Sequence, residues 1–347
     1  MPPDPRSEGF ALLRFPRLAA ERGRGIPQGE APGRGPERAA RNPFAPLFCE
    51  VRMKKEYLLV LAGVAGVSIS GPLVKWALAC GASPVTIACL RLAIATLALL
   101  VPAVKTGALR EMLRAPRRDI ALAVAAALLL ALHFASWMTS LSRTSTFASV
   151  ALVCTQPLFV AALSGAVLGE PIKREAVPGA LTAVAGAVGI GVFSMSGQGG
   201  DFVGDLLALA GAAFMAGHWL CGRAARRTSS ALGYMTFVYG LTAVFLALMM
   251  PFTGGFVAPK ESLPAIALLA VLCTLGGQAL FTYALGFVSA DVVSFALLGE
   301  PVGAAIWAYF LFGERVSLPL LLGGIVVLLG LAWYMIGEMR ASRRPGH

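Results

Sequence analysis

The sequence predicts an all-α polytopic membrane protein, with ten transmembrane helices arranged as two inverted five-helix repeats. Three observations predict it: long apolar runs, a motif that returns at a fixed offset, and Lys and Arg confined to alternate loops. The 347 residues are 57% hydrophobic and 14% charged, with a mean hydropathy of +0.75. Soluble domains carry about 25% charge, and apolar runs of this length are membrane spans.

From Tyr57 onward ten such runs can be drawn, at roughly 57–79, 84–104, 119–141, 146–168, 176–194, 202–222, 231–250, 264–287, 290–311 and 317–337. Each is near the ~20 residues that cross a ~30 Å hydrocarbon layer. Several open on a proline in or near the first turn, at Pro84, Pro178, Pro264 and Pro319, where no helical N–H is lost. The connections are short, so sequence neighbours pack as antiparallel hairpins.

The returning motif is QPLFVAALSGAVLGE at 156–170 and EPVGAAIWAYFLFGE at 300–314. The offset is 144, and the identical positions are the proline, Ala161/Ala305, the glycine and the glutamate. Leu141 and Ser145 meet Leu285 and Ser289 at the same offset, and Gly179 meets Gly323. Proline, glycine and glutamate in fixed spacing identify an internal duplication.

Orientation follows from the basic residues. With a cytoplasmic N-terminus, the inside segments hold Arg52, Lys54 and Lys55, then Lys105, Arg110, Arg114, Arg117 and Arg118. They continue with Lys173 and Arg174, then Arg223, Arg226 and Arg227, and last Arg340, Arg343 and Arg344. The outside loops hold Arg143, Lys260 and Arg315, so the count is sixteen against three. The inner turn at 287–290 has no basic residue and is a local exception. Both termini are then cytoplasmic. Five spans per half is an odd number, so the second half enters the membrane inverted, and the substrate site is expected between the halves near the midplane.

The net charge of +11 does not form one face, so a nucleic-acid partner is not expected. Cys49, Cys80, Cys89, Cys154, Cys221 and Cys273 stand singly, with no metal-site or disulfide spacing. No cofactor, metal site or catalytic residue is predicted: there are no paired carboxylates, no HExxH and no Ser/His constellation. No soluble domain is long enough for an ATPase, so any transport would have to draw on a gradient. Residues 1–52 are rich in Pro, Gly and Arg and contain no span. They read either as a disordered basic tail or as translation upstream of a natural start at Met53.

Four polar groups lie well inside spans: Arg91, His133, Gln156 and Glu300. Ionisable groups there are costly, and they face the bundle interior. Gln156 and Glu300 are symmetry mates near the midplane. Pro157 and Pro301 follow them, each removing a backbone N–H and freeing the carbonyl four residues back, at Val153 and Leu297. Both prolines are candidate hinges. Arg91 is a candidate charge partner for Glu300 or for an anionic substrate group, the structural pairing being favoured, with snorkelling to the outer interface as the alternative. His133 and Trp137 share a helix face one turn apart. Their counterparts are Gly277 and Phe281, with Gln278 and Tyr283 nearby. The bland alternative is a satisfied histidine, a packing tryptophan and a proline kink. His218-Trp219, near the inner end of the sixth span, reads as an interfacial pair. The glycines at 179, 186, 189 and 191 read as close helix packing.

With these residues in view, the chain resembles the drug/metabolite transporter superfamily, specifically its EamA-type permeases. The elements of the resemblance are SISGPLVKWAL in the first span, CLRLAIATLALL with Arg91 in the second, and QPLF…LGE and EPVGA…FGE in the repeats. It covers about 57–337, with repeats at 53–195 and 202–338 and a cytoplasmic tail at 339–347. It implies a secondary transporter in the cytoplasmic (inner) membrane that exports or exchanges small metabolites, amino-acid-like ones among them, by alternating access. The resemblance also implies a central cavity lined by spans 1, 3, 4, 6, 8 and 9. That supports Trp137, Gln156, Glu300 and Trp307 as cavity residues. Gln156 departs from the apolar residue or serine expected before the first-repeat proline. Proton coupling and a homo-oligomer are both compatible with this reading. The alternative is an uncoupled, channel-like or structural membrane protein.

Overall fold

The computed structural model describes residues 55–168, 173–195, 201–225, 229–278, 280–281 and 296–343. The basic tail, the Gly169-Glu170 pair, the 287–290 turn and Tyr283 lie outside them. All regular structure among the described residues is helical.

The first half comprises α1 (Lys55–Ser68), α2 (Ser70–Ala79), α3 (Pro84–Lys105), the short α4 (Ala108–Leu113), α5 (Arg117–Leu141), α6 (Thr146–Val153), α7 (Gln156–Leu168) and α8 (Val177–Met195). The second comprises α9 (Phe202–Ala225), α10 (Ala231–Met249), α11 (Leu263–Leu268) continued by a π-helix over Leu269–Gln278, α12 (Glu300–Phe312) and α13 (Leu318–Arg343). Among the described residues, eight helical stretches are long and apolar enough to cross a membrane. Val177–Phe193 and Glu300–Phe312 are apolar but shorter, and they occupy the places of the expected fifth and ninth spans. Before Glu300-Pro301 the chain turns at Leu298-Gly299, and residues 282–295, where the expected ninth span begins, lie outside the described ones. α13 carries its helix through Arg343, well into the expected tail.

Local chemistry fixes the helix starts. Pro84, Pro178, Pro264 and Pro319 all sit in first turns. The Ser145 and Ser230 side chains accept hydrogen bonds from the Ala148 and Gly233 amides, capping α6 and α10. Large apolar side chains such as Leu97, Leu181, Phe310 and Leu329 are exposed on the outer surface, as lipid-facing residues are.

Close contacts repeat under the 144-residue offset. A Cβ at Gly179 would collide with the Tyr334 backbone nitrogen, and one at Gly323 would come within 2.8 Å of the Ile190 side chain. Adding 144 to 179 gives 323, and subtracting it from 334 gives 190. Likewise, a Cβ at Gly186 would lie 2.7 Å from the Val327 nitrogen, while one at Gly330 would collide with Ala183. Both pairs exchange under the offset, as contacts across a two-fold axis do. Along this interface the α8 numbers rise as the α13 numbers fall, so the two equivalent helices run antiparallel. Gly240 of α10 packs on Thr96 of α3, its own counterpart 144 residues earlier.

The duplicated Gly-Glu has a structural explanation at its second copy. Gly313 ends α12 with φ +64°, a left-handed conformation that favours glycine. Glu314 then accepts hydrogen bonds from the Thr146 backbone N–H at 2.9 Å, the Thr146 hydroxyl at 3.0 Å and Lys75 Nζ at 3.1 Å. One carboxylate thus ties the end of α12 to the start of α6 and to α2.

Candidate functional site

Four interruptions of regular α-helix converge inside the bundle. The first span turns at Ile69, three residues before Pro72. The fourth turns at Cys154-Thr155 before Gln156-Pro157, and the ninth at Leu298-Gly299 before Glu300-Pro301. A proline removes the N–H that would bond the carbonyl four residues back, which leaves Val153 and Leu297 without their α-helical partners. The eighth span runs as a π-helix, a form common at functional sites. Irregular backbone at this depth is tolerated where it lines a cavity.

A cavity of about 100 Å³ lies at these breaks, with room for several water molecules or a small ligand. The first two spans contribute Val67, Ser70 and Arg91, and α5 contributes His133, Phe134 and Trp137. The breaks of the fourth and ninth spans contribute Val153, Cys154, Gln156, Leu297 and Glu300. Met215 and Trp219 of α9 line it as well, as do Gln278 and Phe281 of the eighth span. Five of the sequence-predicted cavity residues therefore meet here, His133, Trp137, Gln156, Gln278 and Glu300, together with the candidate charge partner Arg91.

Trp307 lies seven residues beyond Glu300 on α12, is 40% exposed, and is not among the lining residues. Arg91 is 2% exposed. Its Nε donates to Thr274 Oγ1 at 2.7 Å, its Nη1 reaches Ser70 Oγ at 3.4 Å, and its guanidinium sits 4.8 Å from the Phe134 ring centre. No Arg91–Glu300 ion pair within 4.0 Å is formed among the described residues. The Thr274 hydroxyl donates in turn to the Leu269 carbonyl five residues back, at 3.1 Å.

The aromatic wall is held from α9. His133 Nδ1 donates to the Gly211 carbonyl at 2.9 Å, so its Nε2 is the nitrogen left to face other groups. The His133 and Trp137 rings stack with centroids 5.9 Å apart. The Trp137 Nε1–H is buried and meets no acceptor among the described residues. Gln278 is fixed from α10 by the Tyr239 hydroxyl, which donates to Oε1 at 3.1 Å.

Sequence reasoning missed Ser70, Thr274, Phe134 and Trp219. A Ser or Thr in a span satisfies itself on its own helix backbone and gives no signal, and Trp219 reads as an interface anchor. No group of three or more His, Cys, Asp or Glu side chains is placed to hold a metal among the described residues.

The model of the EamA-like transporter family matches this sequence twice, over 54–192 and 202–336. The chain belongs to that family. This EamA-like chain is therefore a multi-pass membrane transporter built of two EamA repeats. No curated protein matches it. Among solved structures, one described only as a crystal structure of a protein aligns with a TM-score of 0.58 at 16% identity. The alignment covers 84% of this EamA-like chain and 99% of the other, a likeness of fold.

Proposed function

We propose that this protein is a secondary transporter in the cytoplasmic membrane, with both termini cytoplasmic. It moves small polar metabolites, amino-acid-like ones among them, out of the cell or in exchange. The cavity at the helix breaks carries the reading: polar side chains from both halves meet there, at the points where the spans are least regular. Alternating access follows from moving one half against the other about the fixed α8–α13 contact, with the breaks at Pro157 and Pro301 as hinges. Glu300 is the coupling group. It is the one carboxylate among the described lining residues, and it stands beside a proline-freed turn. Antiparallel packing of equivalent helices supports the inverted arrangement of the halves.

The test is flux in proteoliposomes against an opposing gradient. Accumulation of labelled metabolite driven by a pH gradient supports coupled transport. Dissipation alone, with no accumulation under any gradient, supports the channel-like alternative and overturns the proposal.

A further inference from the structure

We infer that Arg91 is the anion subsite of this cavity and takes the carboxylate of the transported molecule, with the Trp137 N–H as a second donor. The inference rests on the reading of the cavity as the transport site. Three observations carry it.

Arg91 is held in place only by neutral groups among the described residues: the Thr274 and Ser70 hydroxyls and the Phe134 face. A guanidinium has five N–H donors in a planar fork that matches a carboxylate, and two bonds do not exhaust it. A buried cation is expensive, and among the described residues the one carboxylate on its cavity, Glu300, stands beyond ion-pair distance, so the retention of Arg91 at a cavity wall points to a ligand that supplies charge close to the fork.

The scaffold does not demand a cation there. Under the 144-residue offset Arg91 corresponds to Met235, Thr274 to Leu130 and Ser70 to Phe214. The symmetry-equivalent place holds Met235, Leu130 and Phe214, all apolar, so the Arg91–Thr274–Ser70 cluster occurs once in the molecule and is not repeated by the duplication. Packing that obeys the repeat reflects folding. A buried polar cluster that departs from it needs another explanation.

Trp137 is 5% exposed, and its Nε1–H has no acceptor among the described residues. An unmade hydrogen bond at a buried donor costs about 1–3 kcal/mol unless something fills it. Phe134 touches both the Arg91 guanidinium and, at 6.4 Å between centroids, the Trp137 ring. Both donors therefore belong to residues that line the same cavity with Phe134 between them, and a carboxylate is an acceptor that suits both.

The experiment uses the full chain purified in nanodiscs and three probes of matched size: propionate, propylammonium and neutral methyl acetate. Binding is read as the rise in Tm with probe concentration. Propionate should stabilise the wild-type protein, and methyl acetate should not. Arg91→Gln should weaken propionate at least about 10-fold, the loss expected for hydrogen bonds to a charged group. Arg91→Lys should retain part of the effect, because it keeps the charge but loses the fork. Trp137→Phe should weaken propionate by a smaller factor. If Arg91→Gln does not fold, the Lys and Phe variants decide the matter. Equal propionate shifts in wild type and all variants overturn the anion subsite and leave the transport reading standing. A wild-type protein that no probe stabilises counts against both.

Discussion

Gln156 and Glu300 stand 144 residues apart, each immediately before a proline that breaks its span, and both face the same cavity. The duplicated position is thus an amide in one half and a carboxyl in the other. One half can exchange a proton there, and the other can only hydrogen-bond.

The Glu300→Gln variant makes the two halves chemically equal at this position. It is expected to keep substrate exchange in proteoliposomes and to lose accumulation driven by a pH gradient. Wild-type accumulation across pH 5–8 in the variant removes Glu300 from the coupling step.

Glu314 should act through stability. Glu314→Ala removes acceptors from the Thr146 amide, the Thr146 hydroxyl and Lys75. The expected loss is about 1–3 kcal/mol, as for a charge-assisted network with one partner removed. Lys75→Met should cost less, because the helix-start amide keeps its acceptor. Denaturant unfolding in mixed micelles, run as a double-mutant cycle, reads both effects; a Lys75→Met loss as large as that of Glu314→Ala contradicts the assignment.

The α8–α13 contact predicts opposite outcomes at two glycines of one helix. Gly179 has the Tyr334 backbone where a side chain would sit, whereas nothing lies within 4 Å of a Cβ placed at Gly189. Gly179→Leu should destabilise by about 3 kcal/mol, the upper end for overpacking. Gly189→Ala should change stability by no more than about 0.5 kcal/mol in the destabilising direction. Thermal unfolding of the two variants side by side is the measurement.

Asp201, at the loop before α9, sets a pH dependence outside the membrane. The Val203 amide donates to its carboxylate, and Arg143 Nε does so at 2.6 Å, which together hold its pKa below the ordinary 3.8. A lowered folded pKa gives stability that is complete above the ordinary value and is lost as pH falls through the folded one. Asp201→Asn should remove that acid-side slope and lower stability by a constant amount above pH 6, where the contribution of the charged carboxylate is complete. An unchanged slope in the variant contradicts it.

Topology is checked by labelling at two exposed positions. A single cysteine at Thr106 should react from the cytoplasmic side, and one at Thr253 from the outside. Labelling of both from one side removes the proposed orientation.

Much of this molecule was legible in the sequence, for identifiable reasons. Pro157 and Pro301 announce helix breaks because no residue environment can restore a missing N–H. His133, Trp137, Gln156, Gln278 and Glu300 stand out because polar groups are rare in spans, and the structure brings all five to one cavity. Arg91 was visible as a buried charge, but its partners Thr274 and Ser70 were not. They are hydroxyls that any transmembrane helix tolerates, and only tertiary packing brings them to Arg91. The π-helix at Leu269–Gln278 left no local signal either, because its extra residue per turn is absorbed by contacts with neighbouring helices. The turn at Leu298-Gly299 left no signal in hydropathy, which reads straight through it.

The exchange of contacts between α8 and α13 has a consequence for ancestry. Each half offers the other the same notch and the same ridge: Gly179 receives Tyr334 as Gly323 receives Ile190. Identical subunits join in this self-complementary way, and nothing in the contact requires that the two pieces be covalently joined. Two halves separated between α8 and α9 would each still carry the glycine notch and the facing ridge of the α8–α13 contact. The gene that encodes this chain carries, in fused form, the geometry of a homodimer.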